Sequence, residues 1–209
     1  VETLLHEAGH AFHYCLARHQ PLSSYHHTTH EFSEVASMGM ELLARPYLSE
    51  FYSEEELGPL LDDQVRGSIR TLYWVAMLDA FQHWVYTAEE HGREARKAKW
   101  VELEERFRPS IDWTGLEKYR EIGWQYPHVF DSPFYYIEYG IAQLAAFRVW
   151  LNSLEDRQGA VDAYKRALAL GGSRPLPELF EAAGARFSLG EKAVGGIMQG
   201  VMAQVGTKE

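Results

Sequence analysis

The chain has 209 residues, 46% of them hydrophobic and 13% aromatic, ample material for a packed core. Its formal net charge of −10 argues against nucleic acid or an anionic membrane as a partner, because both call for a basic patch. A single cysteine, Cys15, excludes an intrachain disulfide and fits a reducing cytoplasm, and no apolar run approaches the ~20 residues of a membrane span.

The elements read as helix after helix. Residues 1 to about 18 carry Leu4, Leu5, Ala8, Ala11, Phe12, Cys15 and Leu16 at helical period. "QPLSSYHHTTH" is a loop by composition. "EFSEVASMGMELLARPYL" is a helix ending near Pro46. A long helix follows, with Ser53 as its cap, Glu56 three residues on, and an expected break near Gly58-Pro59. "GREARKAKWVELEERF" is a charged amphipathic helix, and "RPSIDWTGLEKYREIGWQYPHVFDSP" is turn-rich. "FYYIEYGIAQLAAFRVWLNSL" is an apolar helix starting after Pro133, and shorter helices are expected around 157–170, 175–184 and 190–204. No strand, internal repeat or composition shift is apparent, so the expectation is one all-α domain over residues 1–209.

The first helix carries H-E-x-x-H. His6 and His10 are four residues apart and share a helix face, where two imidazoles can grip one zinc ion. Glu7 is turned toward the water of the open coordination position, where it can serve as general base. A third ligand is required. A third His six residues after the second is ruled out by Leu16, and His13 lies about 60° off the ligand face. The alternative is a carboxylate from the second helix, which offers Glu31, Glu34 and Glu41. Glu34 and Glu41 are two turns apart on one face, so one can ligate while the other supports a ligand His. Spacing does not choose between Glu31 and Glu34.

"HEAGHAFH" and then "EFSEVASMGMELL", with Glu34 twenty-four residues beyond His10, resemble the oligoendopeptidase F and thimet oligopeptidase family of zinc metallopeptidases. "LDAFQHWVY" (78–86) and "WQYPHVFDSPFYYIEYGIAQLAAFRVW" (124–150) resemble further signatures of that family, in the same order, over nearly the whole chain. The resemblance implies a zincin-like catalytic half of a helical two-lobed peptidase, with the N-terminal lobe missing. It implies one Zn2+ per chain held by His6, His10 and Glu34, Glu7 as base, and Glu41 supporting a ligand His. It also implies that His128 and the Tyr-rich segment line the cleft. There, neutral donors aimed at the developing oxyanion lower the barrier, and Tyr136 and Tyr139 are favoured, with Tyr135 close behind. Short peptides are the implied substrates of a cytoplasmic endopeptidase. Self-association through surface left bare by the missing lobe is a further expectation.

Two other readings stand beside this one: a helical interaction or scaffold fragment that binds zinc without efficient catalysis, and an exopeptidase of the same clan. His26, His27 and His30 read as loop residues, "FQHW" (81–84) as packing, and Met38 and Met40 as gap fillers beneath the metal site.

Overall fold

The computed structural model describes residues 1–205. Among them are ten α-helices and no strand: α1 (Glu2–Ala17), α2 (His30–Leu43), α3 (Glu54–Thr87), α4 (Arg93–Phe107), α5 (Glu117–Glu121), α6 (Pro127–Phe130), α7 (Ile137–Glu155), α8 (Arg157–Leu170), α9 (Leu176–Ala182) and α10 (Glu191–Met202). No helix among the described residues is long and apolar enough to cross a membrane. The sequence reading expects a single domain; the contacts group into two compact units, one of residues 1–67 with those from 141 onward, the other Ser68–Gly140.

In the first unit α1 lies against α2 and α8, and α8 against α9. Phe32, Val35 and Ala36 of α2 are fully buried, as are Ala146, Phe147 and Val149 of α7. The approach of α1 to α2 depends on Gly9, where an added Cβ would lie 2.5 Å from the Ala36 carbonyl oxygen. The connection between these helices is pinned to the end of α8. Gly172 N–H donates to the Tyr25 carbonyl at 2.9 Å, and Gln20 Nε2 donates to the Ala169 carbonyl at 2.7 Å. Gly171 turns the chain there at φ 52°, beside the Tyr25 carbonyl, where a side chain has no room. The start of α8 is capped by Asp156, which accepts from Gly159 N–H at 3.0 Å.

Two expectations about helix limits are corrected. The break at Gly58-Pro59 does not occur, and α3 runs through Pro59. A proline this close to the N-terminus forfeits only the bond its own N–H would have made one turn back. At the helix start, Ser53 N–H and Oγ–H both donate to Glu56 Oε2, at 2.9 and 2.7 Å. Conversely, α7 does not start directly after Pro133. Phe134 takes a left-handed φ of 61°, so Tyr135 and Tyr136 precede the helix and only Tyr139 lies on it.

The second unit packs around large rings. Met77, Leu78, Phe81, Trp100, Leu103, Trp124 and Val129 form its buried cluster. Phe81 meets Trp100 edge to face at 5.2 Å, and Trp74 meets it at 5.8 Å. Glu104 is only 2% exposed, and its charge is met by Arg120 Nε at 2.9 Å and Arg108 Nη1 at 3.4 Å. That pairing ties α4 to α5, a short helix in the stretch read from sequence as turns.

Candidate metal centre

His6 and His10 project from one face of α1 with their ring centroids 5.0 Å apart and their planes at 83°. Glu34 comes from α2 and is 6% exposed. Ligating atoms of these three residues lie within 4.8 Å of one another. Glu34 Oε2 is 3.4 Å from His6 Nε2, and Glu34 Oε1 is 3.7 Å from His10 Nε2. Glu31, which spacing left open, lies outside this group among the described residues.

The opposite edges of the imidazoles are tied back. His6 Nδ1–H donates to Glu41 Oε1 at 2.6 Å, which fixes the tautomer and leaves the Nε2 lone pair facing Glu34. That hydrogen bond also raises the His6 pKa, working against burial, which lowers it. Ser33 Oγ lies 3.2 Å from His10 Nδ1. Ser37 Oγ–H reaches Glu34 Oε2 at 2.9 Å, and so orients the carboxylate. Besides Ser37, the buried Glu34 carboxylate faces the imidazoles of His6, His10 and His30. A divalent cation fits such a donor set: two neutral nitrogens and one carboxylate oxygen, with second partners already in place.

Glu7 is exposed on α1 beside the ligand face. His13 is rotated off that face, as its position on the helix implies. It is 5% exposed, stands edge-on to Phe32 at 6.0 Å, and burial pushes its pKa down to about 4. A cavity of about 400 Å³ adjoins the ligands, lined by His10, His13, Tyr14, His26, His27 and Glu34 among others. His26 and His27, read from sequence as loop residues, face the same hollow as the candidate ligands His10 and Glu34.

The sequence reading missed three residues here. His30 is the first residue of α2 rather than the end of the loop, and its Nε2 is 3.4 Å from Glu34 Oε1. Ser33 and Ser37 also reach the ligand side chains. The i, i+4 relation of His30 to Glu34 and the i, i+3 relation of Ser37 were the available signals, and starting the helix at Glu31 hid the first.

His128, Tyr135, Tyr136 and Tyr139 lie in the second unit. The His128 ring is stacked on Tyr126 at 4.8 Å and on Tyr135 at 5.9 Å, and meets Tyr136 edge-on at 5.3 Å. Tyr135 and Tyr139 share a hydrogen bond of 2.5 Å between their hydroxyls. Burial, helped by a hydrogen bond with Tyr126, pushes the Tyr136 phenol up to about 12, so it remains a neutral donor at physiological pH. Because Tyr136 precedes α7, its relation to Tyr139 is set by the turn at Phe134 and not by a shared helix face.

Residues 1–195 match the family profile described as peptidase family M3. The chain is 26% identical over 184 residues to an oligoendopeptidase F homolog of Borreliella burgdorferi, covering 85% of this chain and 31% of that protein. It is 26% identical over 187 residues to oligopeptidase PepF of Bacillus subtilis, covering 87% and 28%. The chain thus spans less than a third of the length of either relative. A solved structure of PZ peptidase A with an inhibitor superposes with a TM-score of 0.90 at 28% identity, over 100% of this chain and 37% of that one.

Proposed function

Because the chain belongs to peptidase family M3, we propose that it carries the metal centre of a zinc-dependent endopeptidase that hydrolyses short peptides. The observation that carries this reading is the convergence of His6, His10 and Glu34, each held from behind by its own partner. These three would hold one zinc ion per chain. When bound, the ion supplies Lewis acidity toward the scissile carbonyl and the attacking water.

The remaining steps belong to side chains. Glu7 takes a proton from the attacking water and delivers it to the leaving amine. Glu41 keeps the His6 Nδ1–H engaged, so that Nε2 stays free to ligate. His128, Tyr136 and Tyr139 are assigned by family resemblance as donors to the developing oxyanion, with Tyr135 behind them. The neutral state of the Tyr136 phenol supports such a donor role. Short peptides as substrates follow from the names of the relatives.

The test is zinc analysis combined with a quenched-fluorescent peptide assay on wild type and Glu7→Gln. One zinc per chain is expected in both, with hydrolysis reduced by at least about 100-fold in the variant. A wild type without stoichiometric zinc overturns the site assignment. Zinc without hydrolysis in wild type would favour a binding or scaffold role. Release of terminal residues alone, and none from a peptide blocked at both ends, would make the enzyme an exopeptidase.

A further inference from the structure

We propose that Gly9 and Tyr164 are positioning residues of the metal centre: together they clamp the Ala36 peptide group of α2 between α1 and α8, and so fix Glu34 relative to His6 and His10. The inference rests on the metal reading above and concerns residues outside the proposed ligand set.

Gly9 lies in the H-E-x-x-H turn, next to His10. A Cβ there would stand 2.5 Å from Ala36 O, 2.6 Å from Ser37 Cα and 2.9 Å from Ala36 C. All three are backbone atoms of a helix, so none can swing aside. Real Cβ atoms stay beyond 3.0 Å and ordinary contact begins at 3.4 Å, so a methyl at position 9 requires the facing backbones to move by about 0.5–0.9 Å. Ligand distances in a metal site tolerate only roughly 0.2 Å. The displacement is therefore several times what the centre can absorb.

The same carbonyl is also held by α8. Tyr164 of α8 is 3% exposed, and its hydroxyl donates to Ala36 O. Burial raises the phenol pKa, which keeps the group a donor throughout the working pH range. The ring reaches Ala36 by passing Gly39, where a Cβ would lie 3.0 Å from Tyr164 Cε2. Ser37, the next residue to touch Gly9, orients Glu34 Oε2 through its hydroxyl. The clamp thus acts two residues from the carboxylate ligand, and one of its jaws comes from a helix 128 positions away in sequence.

Three variants of the full chain test this: Gly9→Ala, Tyr164→Phe, and Gly58→Ala as control. Gly58 is also helical, but nothing lies within 4 Å of its added Cβ. Zinc affinity is read by competition with a chelating dye, ligand geometry by the visible spectrum of the cobalt-substituted protein, and folding by far-ultraviolet circular dichroism. Gly9→Ala is expected to lower zinc affinity by about 10-fold or more and to shift the cobalt bands, with helix content kept. Tyr164→Phe leaves the ring in place and removes only the hydroxyl; a loss of about threefold to tenfold is expected. Gly58→Ala is expected to bind as wild type. Folded Gly9→Ala and Tyr164→Phe with wild-type affinity and spectrum overturn the proposal. Should Gly9→Ala fail to fold, wild-type affinity and spectrum in Tyr164→Phe overturn it alone. A wild type that binds no zinc removes the metal reading itself and this inference with it.

Discussion

The helices around the candidate metal centre meet through small residues. Gly9 lets the backbone of α1 approach Ala36, Gly39 makes room for the Tyr164 ring, and the polar side chains held there pair with one another. Between Ser68 and Gly140 the reverse holds: Trp74, Phe81, Trp100 and Trp124 fill the space between helices with rings set edge to face or tilted. The first arrangement spends packing volume on precision of a few atoms; the second spends polarity on bulk. Substitutions should therefore act through different observables, metal affinity in one and stability in the other.

The largest effect is expected from Trp100→Ala, which empties the centre of the aromatic cluster. A loss of about 3–5 kcal/mol in unfolding free energy is expected from denaturant melts. A loss below 1 kcal/mol would mean that the ring cluster does not carry that unit's stability.

Next comes His13, whose pKa burial pushes well below its ordinary value. Its folded pKa of about 4 lies below the unfolded value of 6.5, so it contributes nothing unfavourable above pH 6.5. As the pH falls toward 4 the unfolded chain takes up the proton first, and stability is lost, by up to about 3 kcal/mol. His13→Phe should flatten this acid slope relative to wild type in metal-free protein. An unchanged slope would place the acid sensitivity elsewhere.

The ligand itself follows. Glu34→Ala should weaken zinc binding by more than about 100-fold, while Glu31→Ala should leave it nearly unchanged. The reverse order would move the third ligand to Glu31. Smallest is Glu41→Gln, which retains a hydrogen-bond acceptor for His6 but removes the charge. A loss of about tenfold in zinc affinity is expected from the same titration.

The helical nature of the chain was legible because apolar periodicity recurs in nearly every segment, and α8 was read at its observed limits of 157 and 170. His6, His10, Glu34 and Glu41 were legible because fixed spacings on two helices put each on a definable face. Spacing could not separate Glu31 from Glu34. That choice depends on the rotation of α2 against α1, which is set at Gly9 by a contact 27 residues from its partner Ala36. The start of α7 was misplaced because the left-handed turn falls on a phenylalanine, a residue whose type gives no warning of positive φ. Tyr164 was invisible for a similar reason: a tyrosine on an amphipathic helix looks the same whether its hydroxyl meets solvent or a distant carbonyl.

The attachment of the α1–α2 connection to the end of α8 bears on the order of events during synthesis. All three candidate ligands are synthesised before the groups that hold their loop in place. The groups that hold their loop in place, at Ala169 and Gly172, emerge well over a hundred residues later, the Gln20 bond alone spanning 149 positions. Contacts of such long sequence separation close late in folding. The final spacing of the α1–α2 pair therefore depends on a helix that is made after both and offers no candidate ligand, so α8 belongs to the frame of the candidate metal centre as much as the two helices that carry His6, His10 and Glu34.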